Sequence, residues 1–255
     1  MKPLRVAAAA LFALVLWLGL DTAASRRHSL RDFDSHAVAR LETATWRSYY
    51  EHRPVQLFVE LTQLLRTQYH VSIVDSLRAA FAAAAAAERF QPGRTHAEYA
   101  RALPDLERFY AIVGTGSDTE FDPQAAARLE LAWWIVHRER AQRANAVPAR
   151  HDVALEDALA ALQALIYKIP AQRLREHARA RSDAMLFRDA RAASGGVDVA
   201  GWHEIERLLD RSWTSIRATL SAPRDGSKLP GRNYLDRNRG GHEAILRLAL
   251  GLICE

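Results

Sequence analysis

Cysteine occurs once, at Cys254, so the chain can close no internal disulfide and can assemble no cysteine metal cluster. An oxidising compartment is therefore permitted but not indicated. Glycine, at 12 residues, and proline, at 9, are sparse for a chain of 255. β-Branched residues are scattered and never alternate over the length of a strand. Ala, Leu, Arg and Glu dominate instead, and all are good helix formers. These absences argue against a sheet and predict an all-α fold.

A block of like charge is also missing. The formal net charge is +5 and the pI is about 9.6. The cations are interleaved with acids, however, as in Arg138-Glu139-Arg140 and Arg173-Leu174-Arg175-Glu176. Mixed charge of this kind marks solvated helix faces, not a phosphate-tracking stripe, so nucleic acid is not an expected partner.

Complete catalytic sets are absent as well. Ser72 and Ser182 have no evident base and orienting acid, which a nucleophilic serine needs. Gly114-Thr115-Gly116-Ser117 lacks the lysine of a phosphate loop and reads as a linker. Glu51-His52-Arg53 and Glu176-His177 place acid beside base, but adjacent helical residues face different ways, so both are expected in solvent. Asp183 and Asp189 read as ion-pair partners.

The N-terminus does carry a signal. Lys2 and Arg5 precede Val6 to Leu20, fifteen residues without a polar side chain, and Asp21-Thr22-Ala23-Ala24-Ser25 follows. This is the order of an export signal, with a candidate cleavage point after Ala24. The apolar run is short of the ~20 residues that span a bilayer. Residues 1–30 are thus expected to be a signal peptide or a signal anchor, and the chain to be exported, either anchored in the membrane or released as a periplasmic or secreted protein. Arg26, Arg27, His28 and Arg31 beyond the run leave orientation ambiguous.

Two stretches match each other. FDSHAVARLETATW, from Phe33 to Trp46, and FDPQAAARLELAWW, from Phe121 to Trp134, agree at nine of fourteen positions at an offset of 88. The register continues with Leu61, Leu64 and Tyr69 against Leu159, Leu162 and Tyr167, and with Tyr99, Leu106, Arg108 and Tyr110 against Trp202, Leu209, Arg211 and Trp213. The extra residues fall near Asn145 to Pro148 and at Gly195-Gly196, where loops are expected. The chain therefore reads as two tandem four-helix units, 33–113 and 121–220, within a duplicated domain of 31–220.

Punctuation predicts the helices. Asp34 and Asp122 suit N-caps, with Pro123 at a first helical position. Second helices are expected over Pro54 to Tyr69 and Val153 to Tyr167, and third helices over Ser72 to Phe90 and Pro170 to Ala193. Fourth helices start at Thr95, which has a capping-box pattern, and at Asp198, with Pro104 kinking or restarting the first of them. Residues 221–255 read as a flexible basic tail, with one short helix from Ala244 to Ile253.

At ~100° per residue, Leu41, Val38, Thr45, Trp46 and Tyr49 share a sector, and Glu42 lies within it. Ala126, Leu129, Trp133, Trp134 and His137 share another, with Glu130 inside. Glu42 and Glu130 are thus equivalent carboxylates directed at aromatic core, with Tyr49 and His137 seven residues beyond. A carboxylate so placed must be paired, hydrogen-bonded or protonated. The leading expectation is a structural ion pair or hydrogen bond, for which Arg181 and Arg188 are at hand. The alternative is a divalent-metal centre ligated by Glu42, Glu130 and His137, with Glu88, Asp189 or His177 as further donors. Glu-x-x-His spacing is lacking in both copies.

The segments Ala39-Arg40-Leu41-Glu42 with Trp46 and Tyr49 to Arg53, and Arg128-Leu129-Glu130 with Trp134 and His137 to Arg140, resemble uncharacterised bacterial exported or anchored all-helical proteins. The resemblance covers roughly residues 25 to 220 and implies helicity and export, with no catalytic residue. The expected function is that of a non-enzymatic helical protein acting through protein contacts at the cell envelope, with the membrane engaged through the N-terminal segment and no cofactor. Beside the metal-centre alternative stands a basic membrane-surface binder using Arg26, Arg27 and the tail.

Overall fold

The computed structural model describes residues 2–25, 29–142 and 151–222. The breaker segment from Asn145 to Pro148, Arg26 and Arg27, and residues 223–255, where the tail and a short helix are expected, lie outside the described residues. Within them the chain is all-helical, without a strand.

An N-terminal helix α1 spans Lys2–Ser25. Next come α2 (Ser35–Tyr50), α3 (Pro54–Tyr69) and α4 (Ile73–Phe90), then the short α5 (His96–Tyr99) and α6 (Leu103–Gly114). They are followed by α7 (Pro123–Gln142), α8 (Val153–Tyr167), α9 (Arg175–Ala193) and α10 (Val199–Ser221). Single 3-10 turns at Ala100–Ala102 and Ala171–Leu174 lead into α6 and α9.

The boundaries follow local chemistry. Asp34 accepts from the backbone N–H groups of His36 and Ala37, and Asp122 does the same for Gln124. Thr95 and Glu98 form the reciprocal capping box. Pro104 stands at the start of α6, where it restarts the helix after the 3-10 turn. Gly93 is held tightly behind α4, since a Cβ there would come within 2.8 Å of the Tyr99 ring. Both α3 and α8 end on a non-glycine residue in the left-handed region, His70 and Lys168, each at φ 52°. The third helix of the second half differs from expectation: Pro170 lies before the 3-10 turn, and α9 proper begins at Arg175.

Packing follows chain order. Helix α2 lies on α3, α3 on α4, α4 on α6, α6 on α7, α7 on α8, α8 on α9 and α9 on α10, and α10 returns to pack on α2. The long helices thereby close a circuit around one continuous core, whose largest fully buried side chains include Tyr99, Leu106, Tyr167, Ile205 and Leu209. Helix α1 stands apart and touches the circuit mainly at α4. Among the described residues no helix is long and apolar enough to cross a membrane.

Candidate functional site

The matched aromatic positions meet the matched carboxylates. Phe33, just ahead of α2, packs edge-on against Trp213 of α10, with ring centroids 5.6 Å apart. Phe121, just ahead of α7, packs edge-on against Tyr110 of α6 at 6.2 Å. The polar tips of the same two rings then reach the glutamates. Trp213 Nε1 donates to Glu42 Oε2 at 2.6 Å, and the Tyr110 hydroxyl donates to Glu130 Oε2 at 2.8 Å.

The second oxygen of each glutamate is satisfied differently. Arg181, from α9, pairs with Glu42 Oε1, and its guanidinium lies 5.7 Å from the ring centre of Trp46 and 6.0 Å from that of Trp133. Glu130 Oε1 instead accepts from the indole of Trp134, one turn further along α7, at 2.9 Å. Trp134 in turn packs edge-on against Phe90. Glu42 is 4% exposed and Glu130 half-buried, so both carboxylates point inward among aromatic rings.

Tyrosines complete this interior. Tyr69 and Tyr110 are buried, and desolvation pushes both hydroxyl pKa values well above 10, with the Glu130 carboxylate adding to the shift. Burial raises Tyr167 likewise. These phenols remain neutral.

The two remaining candidates part company. His137 is half-buried, and its Nε2 meets Asp189 Oδ2 at 2.9 Å, linking α7 to α9. Burial alone would raise the Asp189 pKa, but hydrogen bonds from His137 and Arg188 bring it below the usual carboxylate value. Tyr49, expected inside, is 44% exposed. Helix α2 ends at Tyr50, whereas α7 runs on to Gln142, so Tyr49 lies in a terminal turn and His137 does not. Tyr50 takes the covered place under the Arg188 guanidinium, and burial raises its pKa to about 12.

The alternative metal set of Glu42, Glu130 and His137 is not assembled. Among the described residues no three His, Cys, Asp or Glu side chains stand close enough to hold an ion. The reason is visible in the donors: Glu42 and Glu130 each face N–H or O–H groups on both oxygens, and His137 is engaged with Asp189. Glu88 is exposed.

His177 departs from the solvated position expected beside Glu176. It is fully buried rather than solvated; its Nδ1 lies 2.7 Å from Ser212 Oγ, and that hydroxyl donates to the His177 carbonyl at 3.2 Å. Burial lowers its pKa from 6.5 to about 3, reinforced by the Arg181 charge and opposed by the Ser212 carbonyl. Its neighbour Glu176 is in solvent as expected and pairs with Arg211.

A second polar junction joins α1 to the circuit. The Asp21 carboxylate receives both Arg66 guanidinium nitrogens, at 2.8 and 3.2 Å, and the Ile73 N–H at 2.6 Å. Arg66 lowers the Asp21 pKa, the Ile73 N–H adds to this, and desolvation opposes it. A carboxylate at the first turn of α4 also meets the positive end of that helix. Residue 21 sits in the polar step after the apolar run, so its position was legible while its partners were not.

No family model, no curated protein and no solved structure matches the chain.

Proposed function

We propose that the protein is a non-enzymatic helical module, held at a membrane surface by α1 and working through protein contacts at the cell envelope. The carrying observation is the Asp21 junction. Fifteen apolar residues from Val6 to Leu20 end in a carboxylate that binds α3 through Arg66 and caps α4 through Ile73. A segment destined for removal after Ala24 has no need of such bonds to the mature domain, so the junction favours a retained anchor. At 1.5 Å per residue the apolar run measures about 22 Å, against ~30 Å for the hydrocarbon core, which suits insertion from one face.

The duplication belongs to the same proposal. Two copies, 33–113 and 121–220, are supported by the Phe33–Trp213–Glu42 and Phe121–Tyr110–Glu130 groups and by the left-handed caps at His70 and Lys168. Each group uses the first helix of one copy and the last helix of the other, so either copy alone leaves its glutamate short of a donor. The interior acids then serve to join the halves, and the function is left to the outer surface.

The test is the N-terminus of the protein in its native cells, read by mass, together with its membrane fractionation. A chain retaining Asp21 and sedimenting with membranes until detergent is added is expected. A mature protein that starts at Ser25, or one recovered without membranes, overturns the anchored reading.

A further inference from the structure

Helix α4 is apolar on two opposite sides. Ala79, Ala80, Ala82, Ala86 and Phe90 face the core. On the outside Val74 and Leu77 are each 41% exposed and Phe81 70%, and their spacing of three and four residues sets them in one stripe. Grouped apolar side chains left exposed in this way mark a face that meets something other than water. The second half shows what a water-facing version looks like. In α9 the residues 98 further on, His177, Ala178, Ala180 and Ala184, are the buried ones, and the outer positions matching Leu77 and Phe81 are the exposed Arg175 and Arg179.

We propose that the Val74–Leu77–Phe81 face lies against the same lipid surface that receives α1, so that the domain leans on the membrane along α4. This rests on the anchored reading of α1. The stripe is continuous with the anchor's own contact, because Val74 lines one cleft with Thr22, Ser25 and Arg78, and Asp21 caps α4 one residue before Val74. The environment of α1 itself identifies the occupant. Leu11, Phe12, Leu14, Leu16 and Trp17 are between 50% and 71% exposed and point around the whole circumference of the helix. A protein groove covers one side of a helix, whereas lipid covers all of them. Arg78 follows Leu77 and pairs with Asp75 at 3.2 Å, but its side chain is 68% exposed, so its remaining guanidinium N–H groups are free to meet headgroup phosphates.

The test uses the full chain with Cys254→Ala, carrying Phe81→Cys or, as the water-facing control, Arg179→Cys, each labelled with an environment-sensitive fluorophore. Both positions are exposed, and circular dichroism checks that the variants fold. Each is added to phosphatidylcholine–phosphatidylglycerol vesicles with and without doxyl-labelled acyl chains. The expected result is flotation of both variants, with a blue shift and several-fold stronger doxyl quenching at position 81 than at 179. Flotation with equal, weak quenching at the two positions overturns this proposal and leaves the anchor standing. Failure to float overturns the anchored reading and this proposal with it. Cross-linking of position 81 between two chains, without lipid quenching, overturns it in favour of a second copy on that face.

Discussion

Trp213 Nε1 donates to Glu42 Oε2 at 2.6 Å, joining the last helix of the circuit to the first. The contact spans 171 residues of sequence and lies in the buried core. It closes the circuit with a charge-assisted bond in a place where apolar packing alone would leave the register of two helices less defined.

Glu42 and Arg181 form a buried ion pair whose value shows only when one partner is removed. Glu42→Ala strands the Arg181 guanidinium among Trp46 and Trp133, and the expected loss is about 3–5 kcal/mol in urea unfolding. Replacing both, as Glu42→Leu with Arg181→Met, recovers most of that loss because neither charge is then left alone. A double variant as unstable as the single one would count against an ion pair as the link.

Among the described residues Glu130 takes its hydrogen bonds from a phenol and an indole, not from a cation, so its support is expected to come in smaller increments. Tyr110→Phe keeps the ring that packs on Phe121 and deletes only the donor, costing about 1–3 kcal/mol. Trp213→Phe at the matching position is expected to cost more, since Glu42 is more deeply buried and the smaller ring leaves a void. The two denaturation midpoints, measured in one buffer, give the comparison.

Local signals carry much of this architecture. Caps at Asp34, Thr95 and Asp198 and the restart at Pro104 are decided within one turn, and the structure places them where the residues indicate. The inward direction of Glu42 and Glu130 follows from helical periodicity, since α2 and α7 each bury one stripe. Tyr49 departs from it in the last turn of α2, where Tyr50 takes the covered place under Arg188 instead. His177 departs for another reason: α9 alternates small buried residues with arginines, as in Ala178-Arg179-Ala180-Arg181, so its inner face carries little apolar contrast. The return of α10 to α2 depends on contacts between the ends of the described domain, which no local pattern encodes.

His177 makes stability depend on pH. Its folded pKa, about 3, is below the unfolded value of about 6.5, so the ring stays neutral in the fold while the unfolded chain takes up a proton. This contribution is fully present above about pH 6.5 and is lost as pH falls toward 3, at up to about 1.4 kcal/mol per pH unit. His177→Gln is expected to flatten the decline in melting temperature between about pH 7 and 5. An unchanged slope would place the titration elsewhere.

The Asp21 junction predicts a local effect separable from global unfolding. Asp21→Ala removes the acceptor of the Ile73 N–H and leaves Arg66 unpaired at that site. Hydrogen exchange at the Ile73 amide is expected to accelerate by about five- to thirty-fold, matching ~1–2 kcal/mol for a lost cap, while amides in the middle of α8 change little. Equal acceleration in both helices would mean that α1 supports the whole domain, not the start of α4.

Lys168 and His70 close α8 and α3 in the left-handed region, a conformation costing roughly 1–2 kcal/mol for an L residue. Lys168 is exposed, so Lys168→Gly removes the strain without removing a core contact and is expected to stabilise the fold by about 0.5–1 kcal/mol after the added flexibility of the unfolded chain is counted. The His70 ring contacts the backbone carbonyl of Asp32, so His70→Gly relieves the same strain but gives up that link to the segment before α2. The gain at residue 70 is therefore expected to be smaller than at 168, or absent. Chemical denaturation of the two variants separates the cap, which the positions share, from the side chain, which they do not.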